Sequence, residues 1–187
     1  MRIIAIIPAR GGSKRLPKKN IFPYRNKPLI GYTIEACRNS SFIQDVFVSS
    51  DDVEILAVGE DFGATSLQRP SALADDHTPK IIAIRQAVND ERVGLMSPDD
   101  IVIIPQANSP QITSTQMDAA LKLMLDHNLW EVMSADKNGV QNAAFRIVRY
   151  HALFNEFLSA HCGFVIAENI DVHTSEDIEW LMKNDER

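Results

Sequence analysis

The chain has 187 residues, 45% of them apolar and 24% charged, with a formal net charge of -6 at pH 7. That length suits one domain with a sizeable core, and the acidic balance argues against non-specific binding to nucleic acid or to an anionic membrane. No apolar run approaches the roughly 20 residues of a membrane span, Met1-Arg2 leads straight into a strand pattern with no signal-peptide signature, and Cys37 and Cys162 lack metal-like spacing, so the expectation is a cytoplasmic protein.

The first predicted strand is Ile3–Pro8, an apolar run that stops at Pro8. Arg10, Gly11, Gly12, Ser13, Lys14, Arg15, Lys18 and Lys19 follow at once. A buried strand that opens into a glycine-rich, cation-rich loop suits phosphate. Glycines let the backbone come close, N–H groups point at oxygens, and Lys and Arg neutralise charge. A solvated basic surface with a Gly-Gly turn fits the same residues. The spacing is neither GxGxxG nor GxxxxGK[ST], which disfavours a dinucleotide fingerprint and a P-loop.

Pro28 is expected in the first turn of a helix through Cys37, with Leu29, Ile30, Ile34 and Cys37 inward. A strand at Val46–Ser49 precedes a helix over Val53–Phe62, which Asp51 or Asp52 can cap. A short strand follows at Thr65–Leu67, then a helix over Pro79–Asn89 with Ile81, Ile84 and Val88 on one stripe. The strand Ile101–Pro105 is apolar at every position up to Ile104, as in a central strand covered on both faces. A helix over Ser114–His127 turns Met117, Leu121, Met124 and Leu125 inward. Strands are predicted at Glu131–Ser134, Ala144–Val148 and Phe164–Ile166, and a last helix at Ser175–Asn184 with Ile178, Leu181 and Met182 inward. The irregular stretch Asp136–Asn142 is expected to leave the main sheet.

This alternation predicts βαβ units and a mainly parallel α/β sheet. Such sheets bind ligands beyond the carboxyl ends of their strands. The basic loop is in that place. So are Ser49-Ser50-Asp51-Asp52, Gln106-Ala107-Asn108-Ser109-Pro110 and Asp171-Val172-His173. Each of these loops alone suits a cap or a turn, and together with the basic loop they can line one crevice.

The opening motif IIPARGGSKRLPKKN resembles that of the acylneuraminate cytidylyltransferases, the CMP-sialic acid synthetases. SSDD at Ser49–Asp52, RPSALADDHT at Arg69–Thr78, QANSP at Gln106–Pro110 and IDVHTSEDIEWL at Ile170–Leu181 are similar to further motifs of that family, in the same order. The resemblance implies a Rossmann-like, glycosyltransferase-A-like nucleotidyltransferase sandwich of three layers, formed as one domain over residues 1–187. It implies transfer of CMP from CTP to a 2-keto sugar acid with release of pyrophosphate. Arg10, Lys19 and Asp171 would be catalytic. Ala9, Arg10, Gly11, Gly12, Ser13, Lys14 and Lys19 would hold the triphosphate, Asn20 and Arg69 would read cytosine, and Gln106 would sit near the base or the sugar. Asp171, with His173, would bind Mg²⁺.

Lys and Arg would offset charge on the leaving pyrophosphate, since phosphoryl transfer is mostly positioning and charge neutralisation. Read without the resemblance, Asn20 suits a turn cap and Arg69 a surface ion pair. Three departures bear on the reading. His173 stands where the family has a second metal-binding Asp, and Mg²⁺ prefers oxygen; a water-facing, basic or plain surface role is open to it. Ile112 stands where the family's loop has Arg. The segment between Ala135 and Asn142 is short, so the acceptor and dimer-forming part is reduced to an insertion around residues 136–150. The partners expected are CTP, an anionic small-molecule acceptor and, from the family, a second copy of the chain. A smaller acceptor (a phosphonate or phosphorylated alcohol) and a catalytically impaired nucleotide-binding relative are the alternatives.

Overall fold

The computed structural model describes residues 1–157 and 159–185. Nine strands and five α-helices are formed among them: β1 Ile3–Pro8, β2 Pro23–Tyr24, β3 Lys27–Pro28, α1 Leu29–Arg38, β4 Asp45–Ser50, α2 Val53–Asp61, β5 Thr65–Gln68, α3 Lys80–Ala87, β6 Ile101–Pro105, α4 Ser114–Asp126, β7 Glu131–Ala135, β8 Gln141–Arg149, β9 Cys162–Ile166 and α5 Ser175–Asn184. Seven strands form one sheet in the order β5-β4-β1-β6-β8-β7-β9, and β2 and β3 form a separate small hairpin. In the large sheet the pairs β1/β4, β1/β6, β4/β5 and β7/β9 are parallel. There only β8 runs against its two neighbours.

The sheet is covered on both faces. Ile30, Ile34 and Cys37 of α1, Ile55 of α2 and Met117 and Leu121 of α4 share one core with Ile3, Ala5 and Ile7 of β1 and with Ile101 and Ile103 of β6. On the other face Ile84, Ala87 and Val88 meet Ile4 and Ile6 of β1 and Val102 and Ile104 of β6. β6 lies at the centre, and its residues from Ile101 to Ile103 are fully buried. This is why Ile101–Ile104 is apolar without alternation: both faces are core. Burial of each such side chain contributes about 1.5–3 kcal/mol. A smaller cluster of Leu16, Tyr24, Leu29, Val172 and Leu181 docks α5 near the first loop.

Several expectations need correction. Pro28 precedes α1 as its extended N-cap rather than lying in its first turn. The helix expected over Pro79–Asn89 is shorter: Pro79 is its N-cap, Lys80 opens α3, and it ends at Ala87 with Val88 as its C-cap. Met182 is exposed, while Leu181 carries the contact of α5. The stretch Asp136–Asn142 does not leave the sheet. Asp136 accepts from the N–H groups of Asn138 and Val140 at 2.8 and 2.9 Å, and Gly139 takes φ 78°, so the chain reverses tightly and β8 re-enters the sheet at Gln141. An Asp and a left-handed Gly supply what a hairpin turn needs. Asp52, not Asp51, caps α2, accepting from Glu54 N–H at 2.8 Å.

Candidate active site

The carboxyl ends of β1, β5 and β6 converge on a cavity of about 300 Å³ lined by Arg10, Ser13, Lys19, Asn20, Arg69, Lys80, Gln106 and Asn108 among others. Six of the site residues that the resemblance implies are therefore brought together: Arg10, Ser13, Lys19, Asn20, Arg69 and Gln106. Ala9, Gly11, Gly12 and Lys14 belong to the same loop but are not part of that wall. Ala9 is buried and donates its N–H to the Ser49 carbonyl at 3.0 Å, which ties the loop to β4. Gly11 donates to Asp51 Oδ1 at 3.1 Å, and a Cβ there would lie 2.6 Å from an oxygen of Asp52. Only glycine allows that approach. Gly12 has open space around it.

Lys18 adopts φ 53°, a left-handed conformation that is uncommon for a residue with a Cβ, and begins a short 3₁₀ turn over Lys19–Ile21. The turn directs Lys18 outward to Glu54, at 2.6 and 2.8 Å, and Lys19 and Asn20 inward. Asn20 is buried and its Nδ2 donates to the Arg10 carbonyl at 2.9 Å, leaving Oδ1 as its remaining side-chain acceptor. Lys19 Nζ is 3.4 Å from Nδ1 of His173. Burial lowers the Lys19 pKa, with the Asp171 carboxylate pulling the other way. The same burial, and then the cations Lys19 and Arg15, lower that of His173, so a neutral imidazole faces the ammonium.

Arg69 follows β5 and is 5% exposed. Its Nη2 is 3.7 Å from Asp51, too far for a hydrogen bond, and neither Nε nor Nη2 has a hydrogen-bond partner among the described residues. Buried donors normally find one, so the unmet pair on a cavity wall marks a place for a ligand's acceptors. Asp76 makes the opposite kind of contact. Its carboxylate pairs with Arg10 at 2.5 Å and with Lys14, and these cations keep it below the usual carboxylate range. Arg10 also donates to the Asp75 carbonyl at 3.1 Å. Asp76 thus occupies two of the cations that the first loop presents, Arg10 and Lys14.

Asp171 and His173 are held by the loop after β6. Asn108 Nδ2 donates to the Val172 carbonyl at 2.8 Å, and Val172 N–H returns a bond to the Asn108 carbonyl at 2.9 Å. The Ser109 hydroxyl donates to Asp171. Asp177 completes the cap of α5, accepting from His173 and Thr174 N–H at 2.7 and 2.9 Å. Among the described residues no group of three or more His, Cys, Asp or Glu side chains is placed to hold a metal ion. Ile112, expected as the site of a lost cation, is buried in the core with α4.

A second cavity of about 400 Å³ adjoins the first and shares Lys80 and Gln106 with it. Ile84, Ile104 and Phe145 supply apolar wall, and Gln141, Asn142 and Arg146 supply polar groups. Gln106 is fixed at the boundary, its carbonyl accepting from Thr33 Oγ1 at 2.8 Å and its N–H donating to the Ala144 carbonyl at 2.9 Å. Sequence reasoning missed Asp76, Lys80 and the Asn108–Val172 clamp as site features. Asp76 was legible as the end of the RPSALADD motif; Lys80 read only as part of a helix.

A mainly parallel sheet with a cationic crevice over its carboxyl ends is the architecture of α/β proteins that handle nucleotides. The chain belongs to the cytidylyltransferase family, whose model matches residues 4–154. It is 44% identical over 89 residues to a pseudaminic acid cytidylyltransferase of Campylobacter jejuni, 47% of this chain and 38% of that protein. It is 38% identical over 122 residues to an N-acylneuraminate cytidylyltransferase of Escherichia coli, 65% of this chain and 28% of that one. The matched stretches thus span roughly a third of the lengths of those relatives. Its fold is similar to that of a CMP:2-keto-3-deoxy-manno-octonic acid synthetase complexed with CTP, at a TM-score of 0.75 and 17% identity, covering 99% of this chain and 100% of that one. No helix among the described residues is long and apolar enough to cross a membrane.

Proposed function

We propose that this chain transfers CMP from CTP to a 2-keto sugar acid of the sialic-acid type and releases pyrophosphate. The observation that carries the reading is the convergence of Arg10, Ser13, Lys19, Asn20 and Arg69 on one cavity, with a second cavity opening beside it. Asn20 Oδ1 accepts from the amino group of cytosine. The two unmet donors of Arg69 go to the acceptors of the same base. Arg10, Ser13, Lys14 and Lys19 bind the triphosphate, whose oxygens take the place of the Asp76 carboxylate on Arg10 and Lys14. Ala9, Gly11 and Gly12 shape the loop that carries them.

The acceptor occupies the second cavity. Its anomeric hydroxyl attacks the α-phosphorus and pyrophosphate leaves in line, its growing charge neutralised by Arg10 and Lys19. Positioning of the two reactants across the shared wall provides much of the rate. Asp171 is the residue that would hold Mg²⁺. A single carboxylate fits, because this ion is bound by one or two carboxylates together with substrate phosphates. When bound it neutralises phosphate charge. Ser109 and the Asn108 clamp keep Asp171 in place, and His173 accepts from Lys19 and orients its ammonium. The catalytic set is thus Arg10, Lys19 and Asp171.

The test is pyrophosphate release from CTP, UTP, GTP or ATP, with and without Mg²⁺. The acceptors are N-acetylneuraminate, pseudaminate, a legionaminate and 3-deoxy-manno-octulosonate. Release that requires CTP, the metal and one of these acids is the expected outcome. No release with any acid refutes the proposal, and tight CTP binding in that case identifies a nucleotide-binding relative that has lost turnover.

A further inference from the structure

The second cavity has two cations in its wall, Arg146 and Lys80. Arg146 is already paired: its Nε and Nη2 donate to one oxygen of the fully buried Glu131 at 3.1 and 2.6 Å. Its charge is therefore compensated within the protein. Lys80 is not. It opens α3 at the crevice, and no hydrogen bond or ion pair holds its ammonium among the described residues. Among the described residues only Lys80 and Gln106 belong to both cavities. Enough protein surrounds the ammonium to lower its proton affinity, and the Asp171 carboxylate opposes that effect.

The chemistry of the transferase reading, on which this inference rests, makes that position significant. In a cyclised 2-keto acid the attacking hydroxyl and the carboxylate are bonded to the same carbon. As the hydroxyl oxygen forms its bond to the α-phosphorus, the carboxylate is carried against the α-phosphate oxygens. The α–β anhydride bond breaks, its electron pair leaves with pyrophosphate, and the hydroxyl proton passes to water. Two anions are thus forced together where the cavities meet, and the repulsion grows as water is excluded. A compact ammonium with three donors can bond to both at once.

We propose that Lys80 bridges the acceptor's carboxylate and the α-phosphate at the junction of the two cavities, and so selects acids over neutral sugars. The test compares wild type with Lys80→Met and Lys80→Arg, using N-acetylneuraminate, pseudaminate and 3-deoxy-manno-octulosonate as acids and their methyl esters as uncharged counterparts. Lys80→Met is expected to raise the KM for the acid about tenfold or more, the range of a charge-assisted hydrogen bond, and to lower kcat. The Kd for CTP should change far less, Lys80→Arg should recover part of the loss, and weak use of the ester should be indifferent to the substitution. An equal loss for acid and ester, or a Kd for CTP that rises as much as the acceptor KM, overturns the proposal. If wild type binds CTP but turns over no acid, the transferase reading fails by itself. Lys80 is then judged by calorimetry of each acid and ester added to the CTP-saturated protein. A preference for the acid that disappears in Lys80→Met supports the role, and no such preference in wild type refutes it.

Discussion

Replacing Arg69 by methionine should stabilise the unliganded protein and cripple its binding of CTP. The guanidinium is 5% exposed, and its Nε and Nη2 lack hydrogen-bond partners. A buried donor left unmet costs about 1–3 kcal/mol. Taking the low end for two donors on a cavity wall gives a penalty of roughly 2 kcal/mol that the substitution removes. Against it stands the pair with Asp51, which at 3.7 Å is an ion pair without a hydrogen bond. Asp51 is 22% exposed and stays partly hydrated, and the pair has no hydrogen bond, so its loss costs about 1 kcal/mol. Asp51 keeps the N–H of Gly11 as a donor. Methionine fills a similar volume without a charge. The net gain is about 1 kcal/mol, or roughly 2–4 °C in melting temperature for a chain of this size. The same donors are the ones assigned to cytosine, so the Kd for CTP should rise about tenfold to a few hundredfold, as expected when charge-assisted hydrogen bonds are lost. Thermal melts with and without CTP read both effects, since a ligand raises the melting temperature through its affinity for the native state. A variant that melts lower than wild type and binds CTP equally well would refute the reasoning on both counts.

Lys19→Ala should cut pyrophosphate release about 100-fold or more while leaving the melting temperature nearly unchanged, because the lysine stabilises developing charge and contributes little to the core; a normal release rate would remove Lys19 from the site. Asn108→Ala removes the side-chain half of the reciprocal bonds to Val172 and should cost about 1–2 kcal/mol in urea denaturation, together with a higher Mg²⁺ concentration for half-maximal release, as Asp171 loses its anchor. A change in stability without a change in metal requirement would separate the clamp from the metal site. His173 is held below its ordinary pKa of 6.5 by burial and by Lys19. The unfolded chain therefore takes up its proton first as pH falls, and stability should drop below about pH 6.5. Between pH 7.5 and 5.5 the urea midpoint should fall further for wild type than for His173→Gln, and equal falls would show that the imidazole is not under that strain.

Much of the site was legible because its residues sit together in the chain. Arg10, Ser13, Lys19 and Asn20 fall within one loop, and the strand before it announces itself by an unbroken apolar run. What stayed hidden were partnerships across long separations. The Asn108–Val172 clamp joins positions 64 apart. Asp76 reaches Arg10 and Lys14 only because β5 lies two strands from β1 in the same sheet. The short hairpin β2/β3 was missed because two-residue strands have no periodicity to read.

The sequence by itself determined the alternation of strands and helices, the central place of β6 and the character of the first loop. Local patterns record burial on each face and the residue types a phosphate needs, and both are properties of neighbouring positions. Only the tertiary structure decided which loops share a crevice. It inserted β8 antiparallel between β6 and β7, so that Gln106 is fixed against Ala144 and a second cavity opens beside the first. It also set Lys80, an ordinary helix lysine in the sequence, at the boundary of the two. Strand order and direction are settled by packing over the whole chain, and no short window of residues encodes them.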